Sequence, residues 1–442
     1  MAKPISISLA PNNEKDDVKL VLRLIFQPWK WKRGSAIKEI EDKFEEYLGV
    51  KYAVSFNSGR SALMAIINAI GMKKDDPSSA KAPAYAKASA GKSAGEGVLL
   101  QAFTCNASVN PLIWSGVKPV YVDCDKDSYN IDIMDLKRKI ASNSRVLMVQ
   151  HTFGLPADIE EVLAVAKENN MILIEDCAHS LGAEYKGQKV GTFGKAAFFS
   201  FGRDKIISSV WGGMAVTNDH ELGEKIRQYQ EKSGCSSYFW IFQQLLHPIL
   251  MNYIVLPLYN FLDLGKIFLV LSQWFGILSK AVHWKEKQGK KPSYFPKNMP
   301  NALAILALNQ FKKLDRFYNH REQLSQFYYN ALKNSSFEVP ESLSPEYLKK
   351  NNIKHSFLRF TIKHKKAHEI IYEAWHKENI IIGDWYTSPV IPADTKLESV
   401  GYKLGSCPTA EKLAKTTFNL PTHINISQKD AEKIIKFLAK WK

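Results

Sequence analysis

Cysteine is scarce in this sequence of 442 residues, and what there is does not pair: five thiols stand at positions 105, 124, 177, 235 and 407. An odd, scattered set without repeated spacing excludes a disulfide framework and reads as reduced thiols in the cytoplasm. The opening residues, MAKPISISLAPNNEKDD, lack the apolar core of a signal peptide. Acidic residues are also short. Against 60 Lys and Arg there are 44 Asp and Glu, a formal charge of +16. That excess suits acidic partners such as nucleotide diphosphates or anionic lipid. No helix-turn-helix, zinc-finger or RNA-binding signature accompanies it, so nucleic acid is not an expected partner. Charge is missing altogether from residues 236–262, which hold no Asp, Glu, Lys or Arg. Elsewhere the composition is that of a globular protein, 45% hydrophobic and 24% charged. The length suffices for a large domain and a smaller one.

What is present centres on residues 171–217. The run Met171-Ile172-Leu173-Ile174 predicts a strand buried on both faces, and it ends at Glu175-Asp176. A second run, from Ala196 to Phe201, delivers Ser200 and then Lys205; a third, from Met214 to Thr217, follows Gly212-Gly213. In open parallel sheets ligands bind at carboxyl ends of strands. A carboxylate, a hydroxyl and an amine are therefore expected at one edge. An amine in a dry pocket can condense with an aldehyde, and pyridoxal phosphate (PLP) needs that lysine, an acid for its ring nitrogen and a phosphate cradle. Lys205, Asp176 and Ser200 suit those three tasks. Singly they read as a surface lysine, a helix cap and an ordinary serine; the order makes the set informative. Upstream, the strand from Tyr52 to Phe56 runs into Asn57-Ser58-Gly59-Arg60-Ser61 and a helix closed by Gly71. A Ser-Gly turn opening a helix presents backbone N–H groups to an anion, so Ser58, Gly59, Arg60 and Ser61 are candidates for holding the phosphate, with an ordinary helix cap as the plain alternative.

The stretch EDCAHSLGAEYKGQKVGTFGKAAFFSFGRDK followed by GGM resembles the DegT/DnrJ/StrS-type nucleotide-sugar aminotransferases, which are fold-type-I PLP enzymes. The resemblance runs from about Gly34 to the C-terminus. It implies an α/β fold with a mostly parallel central sheet, helices on both faces, and a smaller C-terminal α+β domain. It implies Lys205 as the cofactor-bearing lysine, Asp176 as the ring-nitrogen partner and His179 beside it. Relatives that act as dehydratases carry His at the lysine position; this chain carries Lys. The implied activity is transfer of an amino group from an amino acid, glutamate first, to a keto-sugar nucleotide in polysaccharide or cell-surface glycan biosynthesis, by a homodimer whose sites lie at the interface. Another ketone, such as a cyclitol or lipid-linked sugar, or a non-catalytic PLP-binding role, are the alternatives; intact Lys205 and Asp176 weigh against the last. No metal is called for. Departures from the family pattern are Arg60-Ser61 in the phosphate turn and Cys105, where many relatives place an aromatic that stacks on the cofactor. Phe103, His179 or Cys105 itself would have to cover that face. Pro296 and Asn298 stand where relatives have an Asn and an Arg reaching the neighbouring subunit's phosphate, with Lys297 or Asn298 as substitutes.

The division that follows is residues 1–235 for the N-terminal segment and large domain, 236–296 for an apolar insertion, and 297–442 for a long helix and the small domain. Within the first part, residues 75–96 are an Ala-, Ser-, Lys- and Gly-rich insertion with little to bury. Further strands are expected at 97–101, 119–123 and 146–150; His151, which follows, reads as structural. The uncharged run 236–262 exceeds the ~20 residues that span a bilayer, yet Pro248 and Pro257 argue against a simple spanning helix. With a second uncharged run at 267–279 and Lys280, Lys285, Lys287, Lys290 and Lys291 after it, a broken hairpin in the membrane interface is expected over 236–291. The chain would then work in the cytoplasm, at the inner face of the membrane; packing against a partner subunit is the alternative. Residues 301–329 predict one long helix, 355–360 a strand and 428–441 the last helix. Trp385, Tyr386 and His423 resemble the family's substrate-side positions.

Overall fold

A computed structural model describes residues 3–72 and 96–441 of the chain. The insertion at 75–96 lies, except for Glu96, outside the described residues. Seven strands build the central sheet: β1 Tyr52–Phe56, β2 Gly97–Gln101, β3 Lys118–Val122, β4 Ser144–Gln150, β5 Ile172–Asp176, β6 Ala196–Ser200 and β7 Gly213–Thr217. Their order across the sheet is β1-β7-β6-β5-β4-β2-β3. β7 runs antiparallel to both neighbours and the other pairs are parallel. The apolar runs are continuous because both faces are covered. Val98, Leu100, Met148, Ile174 and Phe198 point into one core, with helices Gly59–Ile70 and Asn106–Trp114. Leu99, Leu147, Val149 and Leu173 point the other way, under helix Ile159–Glu168; Phe199, on that face, meets Phe44 of helix Ala36–Leu48.

Beyond the sheet, Phe360–Lys363 pairs antiparallel with Thr417–Leu420, and Ile5–Ser6 pairs parallel with Ile380–Ile381. Helices Leu314–Leu332, Ala367–Glu378 and Gln428–Leu438 close a separate core around them. The first residues thus join the small domain's sheet, while helix Asn301–Phe311 packs in the large core beside Phe44 and Trp211.

Three local expectations need correction. The single helix over 301–329 is two, Asn301–Phe311 and Leu314–Leu332. The break at Lys312-Lys313 lets the Lys313 ammonium reach Glu14, Asp16 and Asp17 together. The strand at 355–360 begins only at Phe360: Phe357 has φ +46, and Ser356 and Leu358 give their N–H groups to Gly154 O and Phe153 O. The prolines do not break the apolar insertion. Tyr238–Leu250, a π turn Met251–Val255 and Leu256–Leu258 follow one another as helix. Pro248 lacks an N–H, the helix widens after it, and Asn252 Nδ2 donates to Pro248 O at 2.8 Å. Helix Leu264–Trp274 then returns along it.

Candidate active site

β1, β5 and β6 run in one direction, so Ser58, Asp176 and Ser200 emerge at one edge of the sheet. A cavity of about 120 Å³ opens there. Lys205, Asp176, Ser200 and His179 line it; Ser58, Gly59, Arg60 and Cys105 form the adjoining wall; Trp385 and Tyr386, packed on the core of the central sheet, also line it. A larger cleft of about 440 Å³, lined by Lys126, Lys363 and Lys412, lies away from all of these.

Two glycines seat the wall. A Cβ on Gly59 would stand 3.1 Å from Ser200 Cβ and 3.3 Å from Phe199 O. A Cβ on Gly213 would come within 2.3 Å of Gly59 N. Ser58 caps the helix by accepting from Ser61 N at 3.1 Å. The first-turn amides, which have no intrahelical acceptor, and the positive end of the helix dipole therefore lie at the cavity. Ser61 itself is turned inward: its hydroxyl donates to Asn57 Oδ1 at 2.7 Å. The Arg60 guanidinium is committed elsewhere, 2.7 Å from the buried carboxylate of Glu286.

Asp176 is buried. Its Oδ2 accepts from Ser108 Oγ at 2.6 Å and its Oδ1 from Ala178 N at 3.0 Å. Burial raises its pKa against those two bonds and the pull of Lys205. Burial lowers the pKa of Lys205, and Arg359 adds to that, while Asp204, Cys105 and Asp176 act in the opposite sense. Lys205 Nζ lies 4.8 Å from the Trp385 ring centre. Its backbone carbonyl is gripped by Asn12 Nδ2 at 2.5 Å, and Arg321 Nη2 holds Asn12 Oδ1 at 3.0 Å. Arg359 stacks on Trp385 at 3.4 Å and pairs with Asp204 at 3.3 Å.

The aromatic wall differs from what Cys105 suggested. Phe103 is fully buried in a cluster with Tyr129, Phe153 and Tyr386 and does not line the cavity. His179 does. Its ring is stacked between Phe153, 6.0 Å away, and Trp385, 5.4 Å away. Nδ1 accepts from Phe153 N at 3.3 Å. Burial, with Lys205 and Arg359 nearby, holds its pKa far below the ordinary value, so the ring is neutral. Cys105 caps helix Asn106–Trp114, its sulfur 3.4 Å from Ala107 N, and burial pushes its thiol up.

His423 is not brought to the cavity. It is buried under the N-terminal strand, with Nε2 2.8 Å from Ser6 O. Lys297 and Asn298 are tied to their own chain: Lys297 Nζ donates to Ser233 O, and Asn298 bridges to Phe56. His151 and Glu175 form a buried pair at 3.1 Å. Glu175 also accepts the N–H groups of Gly191, Phe193 and Gly194, and His151 Nδ1 that of Ala157. With Cys177 these two could hold a metal by distance alone, but the chain already uses both.

Sequence reasoning missed Ser108, Arg359, Asp204 and Asn12. Ser108 had a weak signal, lying three residues after Cys105 on the same helical face. Arg359 and Asn12 had none, because long-range folding alone brings them to Lys205.

A model of the DegT/DnrJ/EryC1/StrS aminotransferase family matches residues 11–245 and 271–439. GDP-perosamine synthase of Escherichia coli O157:H7 is 33% identical over 202 residues, covering 46% of this chain and 50% of that protein. The spore coat polysaccharide biosynthesis protein SpsC of Bacillus subtilis is 25% identical over 428 residues, 96% of this chain and 93% of that one. Among solved structures, Helicobacter pylori PseC, an aminotransferase involved in the biosynthesis of pseudoaminic acid, superposes with a TM-score of 0.70 at 22% identity over 99% of both chains. That last likeness concerns the fold.

Proposed function

The chain belongs to the DegT/DnrJ/EryC1/StrS aminotransferase family, and from that premise we propose that it is a PLP-dependent transaminase of keto-sugar nucleotides, with an amino acid, glutamate first, as donor. The residues present fit PLP. The amine of Lys205 and the carboxylate of Asp176 line one cavity. Its wall is a helix N-terminus that Gly59 and Gly213 let pack closely against the strands behind it, since a Cβ on Gly213 would come within 2.3 Å of Gly59 N. When bound, PLP would supply the electron sink that makes the nitrogen-bearing carbon of either substrate acidic enough to lose or gain a proton.

The chain's own residues do the rest. The amides at Gly59 and Arg60, with Ser58 and Ser200, would hold the phosphate. Asp176 would accept a hydrogen bond from the ring nitrogen and keep a proton there, since an ionised carboxylate favours a charged donor. Ser108 and Ala178 aim that carboxylate. Lys205 Nζ, less basic through burial, would take up and return a proton within the cavity. His179, neutral through burial, and Trp385, on which it stacks, would together flank the cofactor plane. Trp385 and Tyr386 shield the cavity from water.

The single observation that carries this reading is that the amine of Lys205 and the buried carboxylate of Asp176 line one small cavity. The net charge of +16 and the names of the relatives, a GDP-perosamine synthase and a polysaccharide biosynthesis protein, support a nucleotide-linked sugar. A homodimer in the cytoplasm completes the reading. The test is PLP-loaded protein with glutamate against a panel of keto-sugar nucleotides, followed by mass spectrometry. An aminated sugar nucleotide is expected. Glutamate conversion without any aminated sugar nucleotide would move the substrate to another ketone.

A further inference from the structure

The hairpin after residue 236 presents apolar side chains to solvent where a soluble helix would place polar ones. Helix Leu264–Trp274 is apolar on both faces. Its inner side rests on the outgoing helix: a Cβ on Gly265 would come within 2.3 Å of Val255 O, and Phe268 and Leu269 pack against Met251 and Val255. Its outer side carries Leu264, Ile267, Leu271 and Trp274, at intervals of three, four and three, 41%, 49%, 44% and 79% exposed. That spacing makes one stripe. Phe275, 75% exposed, extends it to the hairpin's end. A continuous apolar stripe on a soluble monomer marks an interaction site. The family model matches up to 245 and resumes at 271, so the tip of the hairpin, with Leu264 and Ile267, lies outside the matched segments.

Cations flank the stripe. Residues 236–291 contain two acids, and both are occupied: Asp263 pairs with Lys266, and Glu286 is buried against Arg60. Lys280, Lys290 and Lys291 are exposed, and among the described residues none of them forms an ion pair. Helix Lys15–Ile25 packs against the first hairpin helix, and the exposed Phe26 and Trp29 follow it with Lys30 and Lys32. Lys32 Nζ lies 4.1 Å over the ring of Tyr238.

We propose that this hairpin docks in the plane of an anionic lipid bilayer, with Ile267, Leu271, Trp274 and Phe275 among the acyl chains and Lys280, Lys290 and Lys291 at the headgroups. Tyr238–Leu258 is long and apolar enough to cross a membrane, but 44% of it is buried inside the protein; Trp240, Ile241 and Leu245 are part of the large core. The hairpin therefore lies on the surface and does not cross. Apolar and aromatic residues bordered by lysines are the chemistry of the membrane interface. At this stripe a second copy would bring the same exposed Lys280, Lys290 and Lys291 against themselves, whereas an anionic leaflet attracts each lysine. This goes beyond the transamination reading and does not depend on it. The hairpin's base does touch the cavity: Arg203 donates to Ser279 O at 2.7 Å, and Ala281 and Val282 are lining residues. The test therefore alters the tip and leaves the base intact.

The full-length, PLP-loaded protein is sedimented with vesicles of phosphatidylcholine alone and of phosphatidylcholine with phosphatidylglycerol. Binding to the mixed vesicles, weakened by salt, is expected. Ile267→Ser with Trp274→Ser should lower partitioning roughly a hundredfold while light scattering and bound cofactor stay unchanged. Lys290→Glu with Lys291→Glu, both exposed, should remove the preference for the anionic vesicles. Failure of the unmodified protein to bind either vesicle overturns the proposal, as does binding that the substitutions leave intact. A change in oligomer mass on Ile267→Ser with Trp274→Ser, without vesicle binding by the parent, would assign the stripe to a second copy.

Discussion

Ser108→Ala removes one of the two hydrogen bonds that hold Asp176, and its consequence can be worked from the geometry. Ser108 Oγ lies 2.6 Å from Asp176 Oδ2, and the remaining bond is from Ala178 N at 3.0 Å. A hydrogen bond to a charged group contributes about 1.5–3 kcal/mol, which corresponds to roughly one to two pKa units. The sign follows from the partner: Ser108 stabilises the ionised carboxylate, so losing it raises the pKa of Asp176, which burial has already raised. The carboxylate would then stay protonated up to a higher pH and hold the cofactor's ring nitrogen less well. The acid limb of the kcat/KM profile should move up by about one to two units, and PLP affinity near neutral pH should fall roughly ten- to hundredfold. The assay is a pH series of the glutamate half-reaction with a PLP titration at each pH. Ser108→Thr, which keeps the hydroxyl, should restore both. An unchanged acid limb together with unchanged PLP affinity in Ser108→Ala would refute the assignment of Ser108 to Asp176, and with it the reading of Asp176 as the ring-nitrogen partner.

Other outcomes follow from single contacts. Asp176→Asn should still take up PLP at high cofactor concentration, though more weakly than the parent, and slow turnover by orders of magnitude, read by single-turnover absorbance; near-normal turnover would remove Asp176 from the chemistry. Gly213→Ala puts a Cβ 2.3 Å from Gly59 N, so PLP binding should fall more than global stability does, as compared by cofactor titration and thermal melting. His355 and His423 are held to about 3 by burial. Their folded pKa values lie below the unfolded one, so stability is full above the ordinary histidine pKa and is lost as pH falls below it. The cost is about 2 kcal/mol for each near pH 5, and denaturant unfolding of His423→Asn should show a smaller acid loss. Light scattering should report a homodimer, and a fully active monomer would contradict that expectation.

The strand core was readable because burial on both faces leaves an uninterrupted apolar run: Gly97–Gln101 and Tyr52–Phe56 stand with the bounds that pattern predicts. The cavity was readable where its residues sit close along the chain, as Asp176, Ser200 and Lys205 do, or at a helix start, as Ser58 and Gly59 do. It was not readable where the small domain or the N-terminal segment crosses over. Arg359 at Asp204 and Asn12 under Lys205 depend on contacts across more than 150 residues of chain. Local rules also failed where a tertiary contact overrode them. Lys313 ends one helix to reach three carboxylates, and Pro248 is carried inside a helix that widens to a π turn after it, where Asn252 donates to the Pro248 carbonyl. His423 drew notice by its place in a loop, but its ring is spent on Ser6.

The assignment of Lys205 as the residue that carries the cofactor is tested most directly by trapping it. Borohydride reduction of the PLP-loaded protein, followed by proteolysis and peptide mass mapping, should place a single pyridoxyl group on the peptide containing Lys205, and Lys205→Ala should take up none. A pyridoxyl group on any other lysine, or the same label in Lys205→Ala, would contradict the account.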